Sequence, residues 1–320
     1  MRLRDVQPET YAREVLPLTA PLWAGRRDFA TYSTQVLEIA RSPYGRRYYG
    51  TAGLFDGREM VASFKRYVRA AHLGLRRLRA LGIGAVFTPE KFRGRGYASA
   101  MLASELDRAR AAGFDVAYLF SDIAPQFYAQ LGFAELPSRE IVLASDRLPA
   151  LRLAPARLEE RDWNGVRRCF DLGERRRSAG FTRTPLVWQW MRMRMGHGSE
   201  RTGGQETSLV VRRRGGGVDA YVLGERDVSR DAYVLEEFGF ADEAGARTIP
   251  ALLRAAAGDL GRVTGWLPPP ASRELLPKGT TRKRKRAIFM AAPLSREGFE
   301  LVRTFGASGD SDPCWHADHV

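Results

Sequence analysis

Arg93-Gly94-Arg95-Gly96-Tyr97-Ala98 is the stretch of this chain best suited to chemistry on a phosphate ester. It lies between an apolar run ending at Phe87 and a segment where Ala98, Met101, Leu102, Leu106 and Ala109 recur at helical spacing. The opening turn of a helix leaves backbone N–H groups unpaired and carries partial positive charge. Glycines let such a backbone approach a ligand without a Cβ in the way, and two arginines add charge. Together these features predict a pyrophosphate cradle at residues 93–98. A Walker loop is excluded, because Tyr97-Ala98 stands where a Lys-Ser/Thr pair is required. A dinucleotide loop is excluded too, because Ser99 occupies the place of the third glycine.

The surrounding elements must hold that cradle in place. The first forty residues read as helical, with Phe29, Tyr32, Val36 and Ile39 on one stripe and Pro43 and Gly45 as the stop. Asp56-Gly57 joins Arg47–Phe55 to Glu59–Val68 and predicts a hairpin. Leu78–Phe87 and Phe114–Phe120 read as buried strands on either side of the loop and its helix. A short helix over Pro125–Leu131 and a last strand at Ile141–Leu143 close this half. The mixture of hairpins with one strand–loop–helix–strand unit predicts an α+β fold rather than a doubly wound sheet. The prolines between Pro137 and Pro155 place a boundary near residue 150, giving domains 1–148 and 149–320.

Arg93, Gly96 and Ala98 match R/Q-x-x-G-x-G/A, and with their context they resemble the acetyl-CoA loop of the GNAT superfamily. Val86-Phe87-Thr88-Pro89-Glu90, Leu119-Phe120-Ser121-Asp122 and Gln126-Phe127-Tyr128-Ala129-Gln130-Leu131-Gly132-Phe133 resemble the same family, over Thr31 to Leu143. The resemblance implies an N-acetyltransferase that passes an acetyl group from acetyl-CoA, a co-substrate, to an amine of a small molecule or peptide. It implies a GNAT fold, a mixed and mostly antiparallel sheet with helices on both faces. The backbone of Ala85, Val86 and Phe87 would hold the pantetheine arm and the thioester carbonyl. Amides from Arg93, Gly94, Arg95, Gly96, Tyr97 and Ala98 would hold the pyrophosphate, and Ser121 and Asp122 would border the cleft. Tyr128 would be the general acid, since a phenol stays protonated where a thiolate departs. Phe127 and Leu131 are expected on the core face of that helix, with Tyr128 turned about 100° away. Glu236, Glu237, Asp122, the carboxylate of Val320 and an ordered water remain open as the base. The layout also resembles fungal lysine N6-acetyltransferases and Eis-type acetyltransferases without their third domain.

The second half has the strand–helix rhythm but no such loop. Glu237-Phe238-Gly239-Phe240-Ala241-Asp242 stands at the corresponding junction, where acidic groups repel a pyrophosphate. It reads as a degenerate GNAT-like copy that binds no coenzyme A. Trp188, Trp190, Met191, Met193 and Met195 read as an amphipathic helix between the halves.

The whole chain of 320 residues carries a net charge of +14, which favours anionic partners. Two rival readings follow: an acyl-CoA sensor without turnover, and a nucleic-acid binder using Arg282-Lys283-Arg284-Lys285-Arg286. The basic run lacks interleaved aromatics and reads as a solvated turn, so nucleic acid is not expected. Cys169 and Cys314 form neither a disulfide framework nor a zinc site. No metal is expected from His316, Asp318 and His319, and the tail around Trp315 reads as a strand. No membrane-spanning run or secretory segment is visible, so the expected compartment is the reducing cytoplasm.

Overall fold

The computed structural model describes residues 1–150, 155–213 and 215–320. It opens with a strand, Arg2–Val6 (β1), where the sequence predicts helix. Four of its five side chains face outward at least in part, so no apolar alternation betrays it; pairing with Thr51–Phe55 makes it a strand. Pro8–Glu14 (α1), Leu16–Trp23 (α2) and Phe29–Arg41 (α3) follow and pack Tyr11, Leu16, Tyr32 and Val36 together. Helix α3 ends just before Pro43, as expected, with Ser42 extended. Pro43 then opens a further helix, Pro43–Tyr48 (α4), where its missing N–H is no loss and Ser42 caps the Gly45 amide.

Tyr49–Asp56 (β2) and Glu59–Leu73 (β3) form the hairpin that Asp56-Gly57 predicts, with Gly57 at φ +59°. Then come Arg76–Phe87 (β4), Tyr97–Ala111 (α5), Val116–Ser121 (β5), Gln126–Ala129 (α6), Ala134–Glu135 (β6) and Arg139–Ala144 (β7). The second half runs through Ala156–Arg157 (β8), Trp163–Glu174 (α7), Ala179–Thr182 (β9), Pro185–Thr202 (α8), Gln205–Glu206 (β10) and Leu209–Arg212 (β11). It continues with Val218–Asp227 (β12), Ala232–Phe240 (β13), Glu243–Ala257 (α9), Arg262–Trp266 (β14), Pro270–Arg273 (α10), Thr280–Lys283 (β15), Ile288–Pro293 (β16) and Arg296–Gly306 (α11).

Two mixed sheets result. One has the order β1-β2-β3-β4-β5-β16-β6 with β9 added beside β3; the other has β15-β7-β14-β13-β12-β11-β8 with β10 beside β12. Strands cross between the halves in both directions. β7 leaves the first half to pair with β14, and β16 returns from the second half to lie between β5 and β6. Ile141–Leu143 therefore closes the second sheet rather than the first. The expected boundary near residue 150 adjoins residues 151–154, which lie outside the described residues.

Each sheet contains one strand–helix–strand unit with parallel pairing, β4-α5-β5 and β13-α9-β14. Helix α5 is fixed to its sheet by Glu105, whose carboxylate accepts Arg66 Nε and Nη2 at 2.6 and 2.8 Å. Glu105 is 2% exposed, so removing it leaves the largely buried Arg66 guanidinium with only the exposed Asp5 at 3.1 Å. Glu105→Ala is expected to lower the unfolding free energy by about 3 kcal/mol, as for a broken buried pair. Urea melts would check it, with a loss under about 1 kcal/mol counting against the clamp.

Candidate active site

Strands β4 and β5 pair in parallel from Ala80–Val116 to Ile83–Leu119, and the pairing stops there. Both strands continue, so a V opens between Gly84–Phe87 and Phe120–Ser121. Ala85 stands at φ +49°, a left-handed conformation that costs a non-glycine residue on the order of 1 kcal/mol or more. The register against β3 shifts here, with Lys65 opposite Gly84 and Ser63 opposite Phe87. The β5-facing edge of Ala85, Val86 and Phe87 is thus free of strand pairing and can hydrogen-bond an extended ligand.

The cradle lies one short turn further on. Phe92 N–H donates to Pro89 O, Arg93 N–H to Glu90 O, and the next backbone bond is Ala100 N–H to Gly96 O. Among the described residues, the amides of Gly94 through Ser99 have no backbone acceptor. Gly96 is the N-cap of α5 and offers no side-chain cap. Gly94 and Gly96 stand at φ +74° and +75°, and nothing lies within 4 Å of where a Cβ would be. A run of free amides beside open space fits a diphosphate. The Arg93 amide, expected in that run, is instead used by Glu90 O, because residues 90–92 form a single 3-10 turn that closes on it. At the start of α9 the same place is filled: Asp242 Oδ1 accepts the Gly245 N–H at 3.0 Å. Arg93 Nε donates to Thr88 O at 3.2 Å, and Arg95 lies exposed near the Phe92 ring.

Ser121 is buried at the end of β5, with Oγ donating to Ile123 O at 2.8 Å. Asp122 is exposed and accepts the Ala287 N–H, which joins the rim of the V to the turn before β16. Tyr128 is buried at 7% exposure against Phe127 and Phe133, in the core that also holds Ile83 and Leu119. The expected faces are reversed: Phe127 and Leu131 are only partly buried, and Tyr128 is the inward residue. Helix α6 is four residues long, too short for helical periodicity to decide which residue points inward. Burial, then the nearby Asp122 charge, pushes the Tyr128 phenol up to about 12.

Residues 29–136 match the family model described as an acetyltransferase (GNAT) domain. Over that stretch the chain is similar to GNAT acetyltransferase domains. The match points to acyl transfer from an acyl-CoA donor. The fold of the chain is similar to a probable N-acyltransferase from Enterococcus faecalis, at TM-score 0.71 and 15% identity over 93% of this chain and 73% of that one. It is similar to Eis1 from Mycobacterium abscessus, at TM-score 0.60 and 13% identity over 92% and 73% of the chains. A tandem GNAT protein from the clavulanic acid biosynthesis pathway aligns at TM-score 0.52 and 12% identity over 92% and 98%. Identities this low speak for the fold alone. Among curated proteins nothing matches.

The other face of the V is closed by the tail. Val320 C and O lie 3.3 and 3.4 Å from the position of a Cβ on Gly84, and Tyr67 Cε2 lies at 3.1 Å. His319 packs between Phe120 and Trp266. His316 Nδ1 lies 3.0 Å from Glu236 Oε1, and Arg194 lies 3.9 Å from Glu236 Oε2. These three side chains keep 23, 21 and 24% of their surface, yet burial leads the causes of each titration shift. Burial raises the Glu236 carboxyl and lowers the His316 imidazole to about 3, so the ring is neutral at working pH.

The remaining expected residues fall elsewhere. Glu237 is fully buried, paired with Arg183 at 2.5 Å and accepting the Tyr221 hydroxyl at 2.6 Å. Asp318 also pairs with Arg183, and with Arg69. The tail is a 3-10 turn over His316–Asp318 rather than a strand, because Asp318 is drawn inward to those arginines; Trp315 packs on Phe238. Among the described residues no group of three His, Cys, Asp or Glu is placed to hold a metal. In the basic run, Arg282, Lys283 and Arg284 pair with Glu140, Glu135 and Asp312, and Arg284 is buried over Trp266. That is a departure from a wholly solvated turn. Helix α8 buries Trp188, Trp190 and Met191, with Trp190 against Tyr44 and Tyr67 and Trp188 against Phe170. Cys169 and Cys314 are buried free thiols. Among the described residues no helix is long and apolar enough to cross a membrane.

Sequence reasoning missed Lys65 and Tyr67 on β3, and Arg194 near Tyr67. Their signal is a polar alternation, Ser63, Lys65 and Tyr67, in a strand whose other positions are also covered.

Proposed function

We propose that the protein is an N-acetyltransferase that moves an acetyl group from acetyl-CoA to a primary amine, by direct attack with both substrates bound. The observation that carries this reading is the open V beside the uncapped start of α5, with six consecutive amides lacking acceptors. Backbone groups of Ala85, Val86 and Phe87 would position the pantetheine arm and thioester carbonyl. Amides of Gly94 through Ala98 would bind the diphosphate, with the Arg93 and Arg95 side chains adding charge, and Ser121 and Asp122 would border the cleft.

Tyr128 is the proposed proton donor to the departing sulfur. Its raised pKa keeps the hydroxyl protonated through the working range. Glu236 is the proposed proton acceptor for the amine, because it stays partly exposed beside His316 of the tail and burial raises its carboxyl toward the range useful for a base. Glu237 is already committed to Arg183 and Tyr221. Residues from both sides of the expected 148/149 boundary would then build one acceptor pocket. No cysteine nucleophile enters: burial pushes the Cys169 thiol up to about 11 and the Cys314 thiol further.

Calorimetry with acetyl-CoA should saturate, and coenzyme A should be released faster when a suitable amine is added, with the acetylated amine seen by mass spectrometry. Binding without release across a broad amine panel would favour an acyl-CoA sensor. No binding to a folded sample would end the proposal.

A further inference from the structure

Lys65 is 9% exposed, on the β3 face covered by α1 and α3. Among the described residues it makes no hydrogen bond and has no carboxylate within ion-pair distance; its ammonium lies 5.8 Å from the Tyr11 ring centroid. Two residues before it, on the same face, Ser63 Oγ and the Tyr11 hydroxyl are buried, approach each other and have no other partner. Tyr11 from α1 and Arg27 from the turn before α3 face Lys65, and Tyr32 of α3 stands beside both of them. Arg27 is committed to Gln35 Oε1 and to the carbonyls of Ala24 and Trp23. A largely buried cation with no counter-charge, beside two hydroxyls that have only each other, is an unfavourable arrangement unless something fills it. Burial, with Arg27 adding, brings the lysine down to about 8, so at neutral pH it still carries its charge.

The place matters as much as the charge. Lys65 lies opposite Gly84, the first β4 residue past the last β4–β5 pair, and Ser63 lies opposite Phe87. They bracket Ala85, where the thioester would sit.

We infer that the amine acceptor carries a carboxylate, which Lys65 binds with the hydroxyls of Ser63 and Tyr11. One ammonium balances one carboxylate; a phosphate dianion would need a second free cation, and Arg27 is already engaged. The inference rests on the acetyltransferase reading above.

The test has two arms. In the first, coenzyme A release is measured with L-amino acids, with the amines left by removing their carboxyl, and with phosphoethanolamine. Carboxylate-bearing amines should be favoured about ten-fold or more in kcat/KM, the scale of a hydrogen bond to a charged group. Lys65→Met should remove that preference through KM while acetyl-CoA affinity holds. In the second arm, wild-type protein with ε-carbon-labelled lysine is titrated by NMR with the same amino acids in the presence of coenzyme A. The Lys65 signal should move, and its titration should shift upward, as the carboxylate arrives. This arm decides even if no amine is turned over or the variant fails to fold. Equal use of the decarboxylated amines, a Lys65 signal indifferent to every carboxylate, preference for phosphoethanolamine alone, or an acetyl adduct on Lys65 itself would each overturn the proposal. Failure of the acetyltransferase reading looks different: no acetyl-CoA binding at all.

Discussion

Tyr128→Phe is expected to lower kcat by about ten-fold or more, the lower end of what a positioned general acid contributes, with little change in acetyl-CoA affinity. The substitution keeps the ring that packs on Phe127 and Phe133, so the core around α6 should survive. Only the hydroxyl is lost. Since that hydroxyl is raised to about 12, the wild-type enzyme should show no alkaline limb from this group until well above pH 10, the ordinary phenol value. Asp122→Asn removes a charge that helps raise the phenol but leaves the donor in place, so its effect on kcat should be smaller. Steady-state kinetics at saturating acetyl-CoA would check the series. An unchanged kcat in Tyr128→Phe would remove the acid assignment, leaving the aromatic as packing.

The glycine loop and the helix after it were legible in the sequence because their signals are local. Gly94 and Gly96 stand at positive φ, and the helix announces itself by its stripe of Met101, Leu102 and Leu106. The V was not legible. Where two parallel strands stop pairing depends on the rest of the sheet, and β16, from far downstream in the chain, lies along the other edge of β5 over its whole length. The exchange of β7 and β16 was invisible for the same reason: an apolar strand such as Ile288–Ala292 fits either sheet, and local pattern does not choose between them. Tyr128 was misplaced because a four-residue helix has too few turns to define a face. Lys65 was overlooked because a single lysine in a strand ordinarily points to solvent; the helices covering that face of β3 are what bury it.

Asp318 shows how a tail residue with no visible motif can hold the site together. Its carboxylate accepts Arg69 Nη2 at 2.7 Å and Arg183 Nε and Nη2 at 3.0 Å each. Arg183 reaches on to Glu237, which takes the Tyr221 hydroxyl. One buried network therefore ties β3 of the first sheet, the chain just after β9, β12 and β13 of the second sheet, and the turn that carries His316 and His319. Asp318→Ala leaves two buried guanidiniums short of a counter-charge, and the expected cost is about 3–5 kcal/mol. Burial would raise the Asp318 carboxyl, but Arg183 and Arg69 outweigh it and hold it at about 2. A carboxyl lowered on folding contributes stability that is fully present above its unfolded pKa, about 3.9, and is lost as pH falls through the folded value. Glu237, which burial raises, works in the opposite sense, so the comparison must be between wild type and Asp318→Asn rather than on wild type alone. The stability gap between those two proteins should be widest above about pH 5 and should narrow toward pH 2. Denaturant melts across that range would measure it. A gap that stays flat with pH, or an Asp318→Ala cost below about 1 kcal/mol, would mean that the two arginines find other partners and that the tail is held by packing of Trp315 and His319 instead.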